Sequence, residues 1–334
     1  MNKRMKILIA FVLLIGVGVF LTLVKLDQIT RPPNGGADAQ ITIEQGMNLT
    51  QIAKLLESEG VVRNALYFRW ITQRKGMEKR IMAGEYLIPR SLPPEKVLDV
   101  LTSGKVVRRR LTIPEGKTIT EIAGLVEKAG ITSKENFIRA SSATENMKKW
   151  LAPGAANLEG VLFPDTYTYT KDDGAEELVK MMTDRFVQVF KPMWNESGAN
   201  SSLKPYEIVI LASIVEKESG LDNERPIIAA VFLNRLKLNM RLMSDPTAVY
   251  DIQGFSGKIT REHLKRVSPY NTYLINGLPP GPICNPGAKS LKAVFHPATT
   301  SALYFVAKGD GSHVFSDTLE EHNRAVERYR RGER

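Results

Sequence analysis

One cysteine, Cys284, stands in a chain of 334 residues. A single thiol closes no intramolecular disulfide and builds no zinc site alone, so disulfide scaffolds and cysteine-based metal domains are excluded. Cys284 is expected to be a small packed residue. Histidine is nearly as scarce. His263, His296, His313 and His322 are scattered without metal-ligand spacing and read as surface or packing residues. The chain has no HExxH pair, no CxxC, no phosphate-binding glycine loop and no GxSxG elbow. No nucleophile signature supports a Ser-His-Asp triad. Aromatic residues are only 7% of the chain, yet 43% is hydrophobic and 25% charged, which is globular composition and enough for about two domains. Acid is in deficit: 36 Asp and Glu face 46 Lys and Arg, for a net charge of +10. That balance favours nucleic acid, anionic lipid or an acidic polymer, without choosing among them.

The N-terminus narrows the choice. Ile7 to Val24 is an 18-residue run with one Thr and no charge. As a helix it spans about 27 Å, close to the apolar thickness of a bilayer. Lys3, Arg4 and Lys6 precede it, and the cationic flank stays in the cytoplasm. A cleaved signal peptide has a shorter apolar core and a small-x-small site, whereas Val24-Lys25-Leu26-Asp27 is bulky and charged. Residues 1–30 are therefore expected to form a cytoplasmic tip and a single-pass anchor in the cell inner membrane, with a periplasmic ectodomain. No nucleic acid is met there. The acidic partner becomes lipid headgroups or a carboxylate-bearing wall polymer.

Residues 31–40 (RPPNGGADAQ) read as a linker. An internal repeat follows. Ile41 to Gly60 (ITIEQGMNLTQIAKLLESEG) aligns without gaps on Leu111 to Gly130 (LTIPEGKTITEIAGLVEKAG). Each copy reads strand, glycine turn, helix. Asn48 or Thr118 caps a helix with the apolar stripe Leu49, Ile52, Ala53, Leu56 or Ile119, Ile122, Ala123, Val126, and Gly60 or Gly130 ends it. Between the copies, Tyr86 to Pro89 reads as a strand and Pro94 to Thr102 as a helix. Such a unit resembles the LysM module that binds wall glycans; its plainer alternative is a small packing module that spaces the remainder from the membrane. Residues 41–135 are expected to form this LysM-like module. Arg108-Arg109-Arg110 is either a solvated strand edge or a contact for acidic groups.

A second domain is expected over residues 150–334. Residues 133–150 and Gly174 to Trp194 read as helices. Within this domain one carboxylate sits on a greasy helix, PYEIVILASIVEKESG from Pro205 to Gly220. At 3.6 residues per turn, Glu218 stacks over Leu211, Ile214 and Val215, while Glu216 falls beside Val209, Ala212 and Ser213. Glu218 is thus the acid expected on the core side. Desolvation raises a carboxyl pKa, which suits a general acid near neutral pH. The alternative is a glutamate that pairs with Arg225 or Arg235.

Several segments in series carry a family resemblance: LEGVLFPDTY (Leu158 to Tyr167), ASIVEKES (Ala212 to Ser219), Glu224-Arg225, VFLNRLKLNMRL (Val231 to Leu242), SDPT (Ser244 to Thr247), SPYNTYLINGLPPGPICNPG (Ser268 to Gly287), GDGSHVFS (Gly309 to Ser316) and EEHNRAV (Glu320 to Val326). Together they resemble the YceG-like family, the endolytic murein transglycosylases. The resemblance covers nearly the whole chain. It implies an α+β fold: a transmembrane helix, the LysM-like module and a mixed α+β catalytic domain. The implied activity is lytic cleavage of MurNAc-β-1,4-GlcNAc bonds within peptidoglycan glycan strands, leaving 1,6-anhydro-MurNAc ends and limiting strand elongation. No cofactor or metal is implied, and peptidoglycan synthases in the same membrane are implied partners. Glu218 followed by Ser219 matches the family's catalytic pair. Ser219, Asn234, Asp245, Thr247, Tyr250, Asn271, Tyr273 and Glu159 fall in its motif segments and are expected to bind substrate. For each, a structural hydrogen bond or ring packing is the alternative. Met243 stands where the family commonly has Gln. Two rival functions share these residues: a hydrolytic muramidase with Asp245 or Glu159 as second carboxylate, and a non-catalytic glycan-binding scaffold.

Overall fold

The computed structural model describes residues 3–33, 35–142, 155, 157–198 and 201–330. It is a mixed α+β chain that divides into two compact units, Met1–Arg109 with Thr168–Asp172, and Arg110–Tyr167 with Asp173–Arg334. The division falls within the arginine run, earlier than the boundary expected near residues 135–150. It places the two repeat copies in different units.

The first unit begins with helix α1 (Lys3–Thr30). Its segment Ile9–Thr30 is long and apolar enough to cross a membrane. Phe11, Leu14, Val17 and Phe20 are all exposed on it, a distribution with no polar face to turn toward water. Strand β1 (Ala39–Ile43) then starts inside the expected linker and pairs antiparallel with β2 (Gly84–Ile88), Ala39 opposite Ile88 and Ile43 opposite Gly84. Between them lie α2 (Leu49–Ser58) and α3 (Ala65–Arg74), and α4 (Pro94–Thr102) follows. Strand alternation turns Ile41 and Ile43 inward. They meet Ile52, Ala53 and Leu56 of α2, Phe68 of α3, and Val97, Leu98 and Leu101 of α4. Each of these Ile, Leu, Val and Phe side chains removed from water contributes about 1.5–3 kcal/mol. Tyr86 is fully buried, and its hydroxyl donates to the carbonyls of Met82 and Leu101. Arg109 from the arginine run meets the buried carboxylate of Glu85 at 2.6 Å, so that arginine serves the fold.

The second unit opens with the other repeat copy. Strand β3 (Arg109–Thr112) leads to α5 (Ile119–Lys128) and α6 (Lys134–Ala140), and the chain returns in β4 (Thr166–Tyr169), which pairs with β3; the first residue of β3 and the last two of β4 count with the first unit. The duplication therefore extends over strand, helix, helix and strand, two elements more than the sequence identity reveals. Both copies use the expected caps: Asn48 and Thr118 each accept from the N3 backbone, and Gln51 and Glu121 reach back to complete capping boxes. Both helices are left through a glycine of positive φ, Gly60 at 65° and Gly130 at 71°, where a Cβ would be strained. The stretch read as helical over 133–150 is helical to Ala140, and residues 143–150 lie outside the described residues.

Helices α7 (Ala175–Ser197), α8 (Pro205–Glu218), α9 (Arg225–Lys237) and α11 (Ala288–Phe295) form the main core, with the short α10 (Arg261–Lys265) beside them. Every residue of α8 from Ile208 to Val215 is buried. Phe190 stacks on Phe186 and Trp194 and tilts against Phe295. Cys284 is fully buried against the Ser213 carbonyl, the packed residue expected. The hairpin β5 (Tyr304–Ala307) and β6 (His313–Ser316), with α12 (Leu319–Arg330), completes the unit.

Candidate active site

Helix α8 ends at Glu218, where Ser219 turns the backbone to extended geometry (φ −99°, ψ 119°). The Ser219 hydroxyl donates to the Leu221 carbonyl at 2.8 Å and shapes this exit. Glu218 lines a cavity of about 340 Å³ with Arg235, Met243, Asp245, Tyr273 and His313 among its walls. Ser244 Oγ donates to Glu218 Oε1 at 2.5 Å. Burial pushes the Glu218 carboxyl up to about 7 from 4.5; the Ser244 bond opposes this, Asp245 adds to it, and His313 and Arg235 oppose it.

Ser244 is seated rigidly. Its N–H donates to Thr272 Oγ1 at 2.9 Å, and its carbonyl accepts from Thr247 Oγ1 at 2.5 Å. The Thr247 and Thr272 hydroxyls lie 2.8 Å apart, both fully buried. Met243, just before Ser244, is held at φ +50°, a region costly for a side chain of this size. That turn delivers Ser244 to Glu218 and leaves Met243 exposed on the cavity wall.

The two acids of α8 have different surroundings. Glu216 has 6% of its side chain exposed and faces Arg225 at 3.4 Å. Its Oε2 also accepts from Ser290 Oγ at 2.7 Å and from the Gly287 N–H at 3.0 Å. The expectation that Glu218 is the acid on the core side is corrected in one respect: α8 is buried on all sides from Ile208 to Val215, and Glu216 also turns to buried partners. Arg225 is taken by Glu216 and Asp222. Arg235 donates to the carbonyls of Leu303 and Leu242 and stacks over Tyr304. Glu218 thus has neither of the arginine partners considered for it.

Three expected residues share this cavity: Glu218, Asp245 and Tyr273, whose hydroxyl donates to the exposed Asp245 carboxylate. Tyr250 and Glu159 lie at a second cavity. Glu159 is 5% exposed and accepts from the Ile119 N–H at the start of α5, from Asn285 Nδ2 at 2.8 Å and from the Tyr250 hydroxyl at 3.0 Å. Burial nonetheless pushes its carboxyl up to about 7. The remaining residues are engaged in the scaffold. Thr247 is buried under Ser244. Asn271 is fully buried, donating to the carbonyls of Leu264 and Arg266. Asn234 Nδ2 donates to the carbonyls of Thr300 and Ala302.

Residues 41–328 match the YceG-like family. The chain belongs to that family. It is 33% identical over 307 residues to an endolytic murein transglycosylase of Bacillus subtilis, covering 86% of this chain and 84% of that one. It is 29% identical to one of Streptococcus pneumoniae, over 86% of this chain and 57% of the relative's length. A crystal structure of a YceG-like protein from Listeria monocytogenes superimposes with a TM-score of 0.58 at 30% identity, covering 87% of this chain and all of that one.

Ser244 and the pair formed by His313 and Glu224 lie within these family segments but were not among the residues expected at the site. Glu224 is 7% exposed. It accepts from the His313 N–H at 3.0 Å, and His313 Nδ1 lies 2.6 Å from its other oxygen. His313 thereby joins the Glu218 cavity with a fixed ring orientation, beyond the packing role expected of it. Ser244 stood in the SDPT segment, and Glu224 and His313 in their own quoted segments. Nothing local marked their mutual approach.

Proposed function

We propose that this chain is an endolytic murein transglycosylase with Glu218 as its acid and base. The observation that carries the reading is the Glu218 carboxyl: it lines an open cavity, holds one hydrogen bond from Ser244, and is pushed up to about 7 by burial. Family membership and the names of the relatives support the substrate class. The substrate is the peptidoglycan glycan strand, and the bond cut is MurNAc-β-1,4-GlcNAc. Protonated Glu218 gives its proton to the glycosidic oxygen as the C1–O bond breaks. The Glu218 carboxylate then takes the proton of the same sugar's C6 hydroxyl, and O6 bonds to C1. No water is consumed, and the strand ends in 1,6-anhydro-MurNAc. A conventional glycosidase needs a second carboxylate for base or nucleophile. Here the nucleophile belongs to the substrate, and its proximity supplies much of the acceleration.

The apolar helix fits an anchor in the cytoplasmic (inner) membrane with its basic tip inside, so the enzyme acts on nascent strands outside, within reach of synthases in the same membrane. The first repeat copy, a two-stranded sheet closed by two helices, is assigned a LysM-like contact with the glycan. Full-length wild-type protein and Glu218→Gln, in detergent with uncrosslinked strands, test the reading by product mass. Anhydro-ended products that the variant does not make support it. Products one water heavier point to a hydrolase using Asp245, which faces the same cavity. Equal cleavage by both proteins removes Glu218 from the reaction.

A further inference from the structure

A polymer cut in its interior has to be held on both sides of the cut, and the Glu218 cavity accommodates only part of it. The second cavity, of about 580 Å³, is lined by Lys217, Pro246, Tyr250, Ile252, Phe255 and Thr120, among others. Lys217 and Pro246 are chain neighbours of Glu218 and Asp245, which line the first. The two cavities therefore share one partition, built by residues 217–218 and 245–246. The second has the size of a small-molecule site, about 300–1,000 Å³, and its chemistry suits a sugar. Ile252 and Phe255 offer apolar surface for the C–H face of a pyranose, and Tyr250 adds a ring with a polar tip. Exposed Thr120 and Lys217 stand where hydroxyls and acidic substituents would lie. Among the described residues Lys217 Nζ has only a 3.4 Å contact with the Gly116 carbonyl, which leaves it donors for a ligand.

One wall of this cavity is the first turn of α5, the helix of the second repeat copy. That turn is fastened from beneath. Glu159 caps the Ile119 N–H, Asn285 N–H and Nδ2 both donate to the Lys117 carbonyl at 2.9 Å, and the Asn285 carbonyl accepts from the Gly116 N–H at 3.0 Å. A buried carboxylate and a fully buried asparagine spent on one helix start make a preorganised wall.

We infer that this second cavity is a saccharide subsite, holding the glycan beyond the scissile bond, and that the second repeat copy has become part of the active-site cleft. The inference rests on the proposed activity for its substrate class. It is tested on full-length protein in detergent with Thr120→Trp, which fills the cavity from an exposed position, and Lys217→Met. The expected result is a KM for long strands raised about tenfold with kcat little changed, the mark of lost uniform binding, while short oligosaccharides that end before the cavity are cut by variants and wild type alike. An unchanged KM in both variants, with unfolding temperatures like wild type, overturns the inference and leaves the activity standing. If wild type cuts nothing, the activity has failed, and the subsite is read by titrating a stripped glycan octasaccharide into Glu218→Gln protein. Binding weakened by Thr120→Trp supports the subsite, and binding indifferent to it does not.

Discussion

Removing the Ser244 hydroxyl should move the pH dependence of cleavage upward by about one unit. Glu218 is raised to about 7 by burial, against the Ser244 hydrogen bond. That bond, at 2.5 Å from a residue 2% exposed, is the only one to the Glu218 carboxyl among the described residues. A hydrogen bond to a charged group is worth about 1.5–3 kcal/mol, and one pKa unit is about 1.4 kcal/mol. Deleting the donor should raise the carboxyl by about one to two units; a replacing water brings this to the lower figure. The general acid must be protonated, so kcat/KM falls as pH rises through the Glu218 value. In Ser244→Ala that fall should come near pH 8 instead of near pH 7, on top of a lower plateau because the carboxyl is less well aimed. The assay is the initial rate of strand cleavage from about pH 5 to about pH 9, followed by product mass. Ser244→Thr, which keeps a hydroxyl, should return the limb toward its wild-type place. A Ser244→Ala profile lowered uniformly, with its alkaline limb unmoved, would refute the claim that Ser244 tunes this acid.

Glu218→Gln should abolish cleavage and also change stability with a definite sign. Its folded value of about 7 lies above the ordinary 4.5, so the native state binds the extra proton between those values and wild type loses stability as pH climbs from 4.5 through 7. The variant should therefore be more stable at pH 8 by up to about 3 kcal/mol and no more stable at pH 4, as denaturant titrations at the two pH values will show. Glu216→Gln leaves Arg225 buried beside a neutral group and should destabilise by about 3 kcal/mol without moving the alkaline limb, which separates the two acids of α8 in one experiment. Glu159→Ala strips the acceptor from the Ile119 N–H, Asn285 and Tyr250 and should cost about 2–4 kcal/mol; hydrogen exchange should report the loss first at the start of α5.

Local chemistry was legible in the sequence where it is decided locally. The caps Asn48 and Thr118, the stripes of α2 and α5, and the exits at Gly60 and Gly130 all stand where their residue types require. α4 spans the expected residues, and α8 begins at Pro205 as its N1 preference dictates. Periodicity failed on α8 for a physical reason. A helix buried all round has no polar face, so stacking positions could not rank Glu216 against Glu218. The site partners were hidden by chain distance. Glu224 meets His313 across 89 residues, and Glu159 meets Asn285 across 126. The division within the arginine run was equally hidden.

On the proposed reading, what separates the two acids of α8 is more than burial. Glu216 and Glu218 lie two residues apart on one helix, and both are partly buried. What differs is the supply of donors. Glu216 receives a guanidinium, a hydroxyl and a backbone N–H, a set that spends the carboxylate on the fold. Glu218 receives one hydroxyl, stands beside Asp245, and opens on a cavity. It is also the last residue of its helix, where the partial negative charge of the free carbonyls further disfavours a carboxylate. The scarcity of donors, the neighbouring Asp245 and the helix end push toward a proton held near neutrality, and the cavity gives that proton somewhere to go. An acid placed two residues earlier on α8 would lose the cavity and gain the arginine. The end of the helix is therefore the position at which this fold can keep a carboxyl both protonated and accessible.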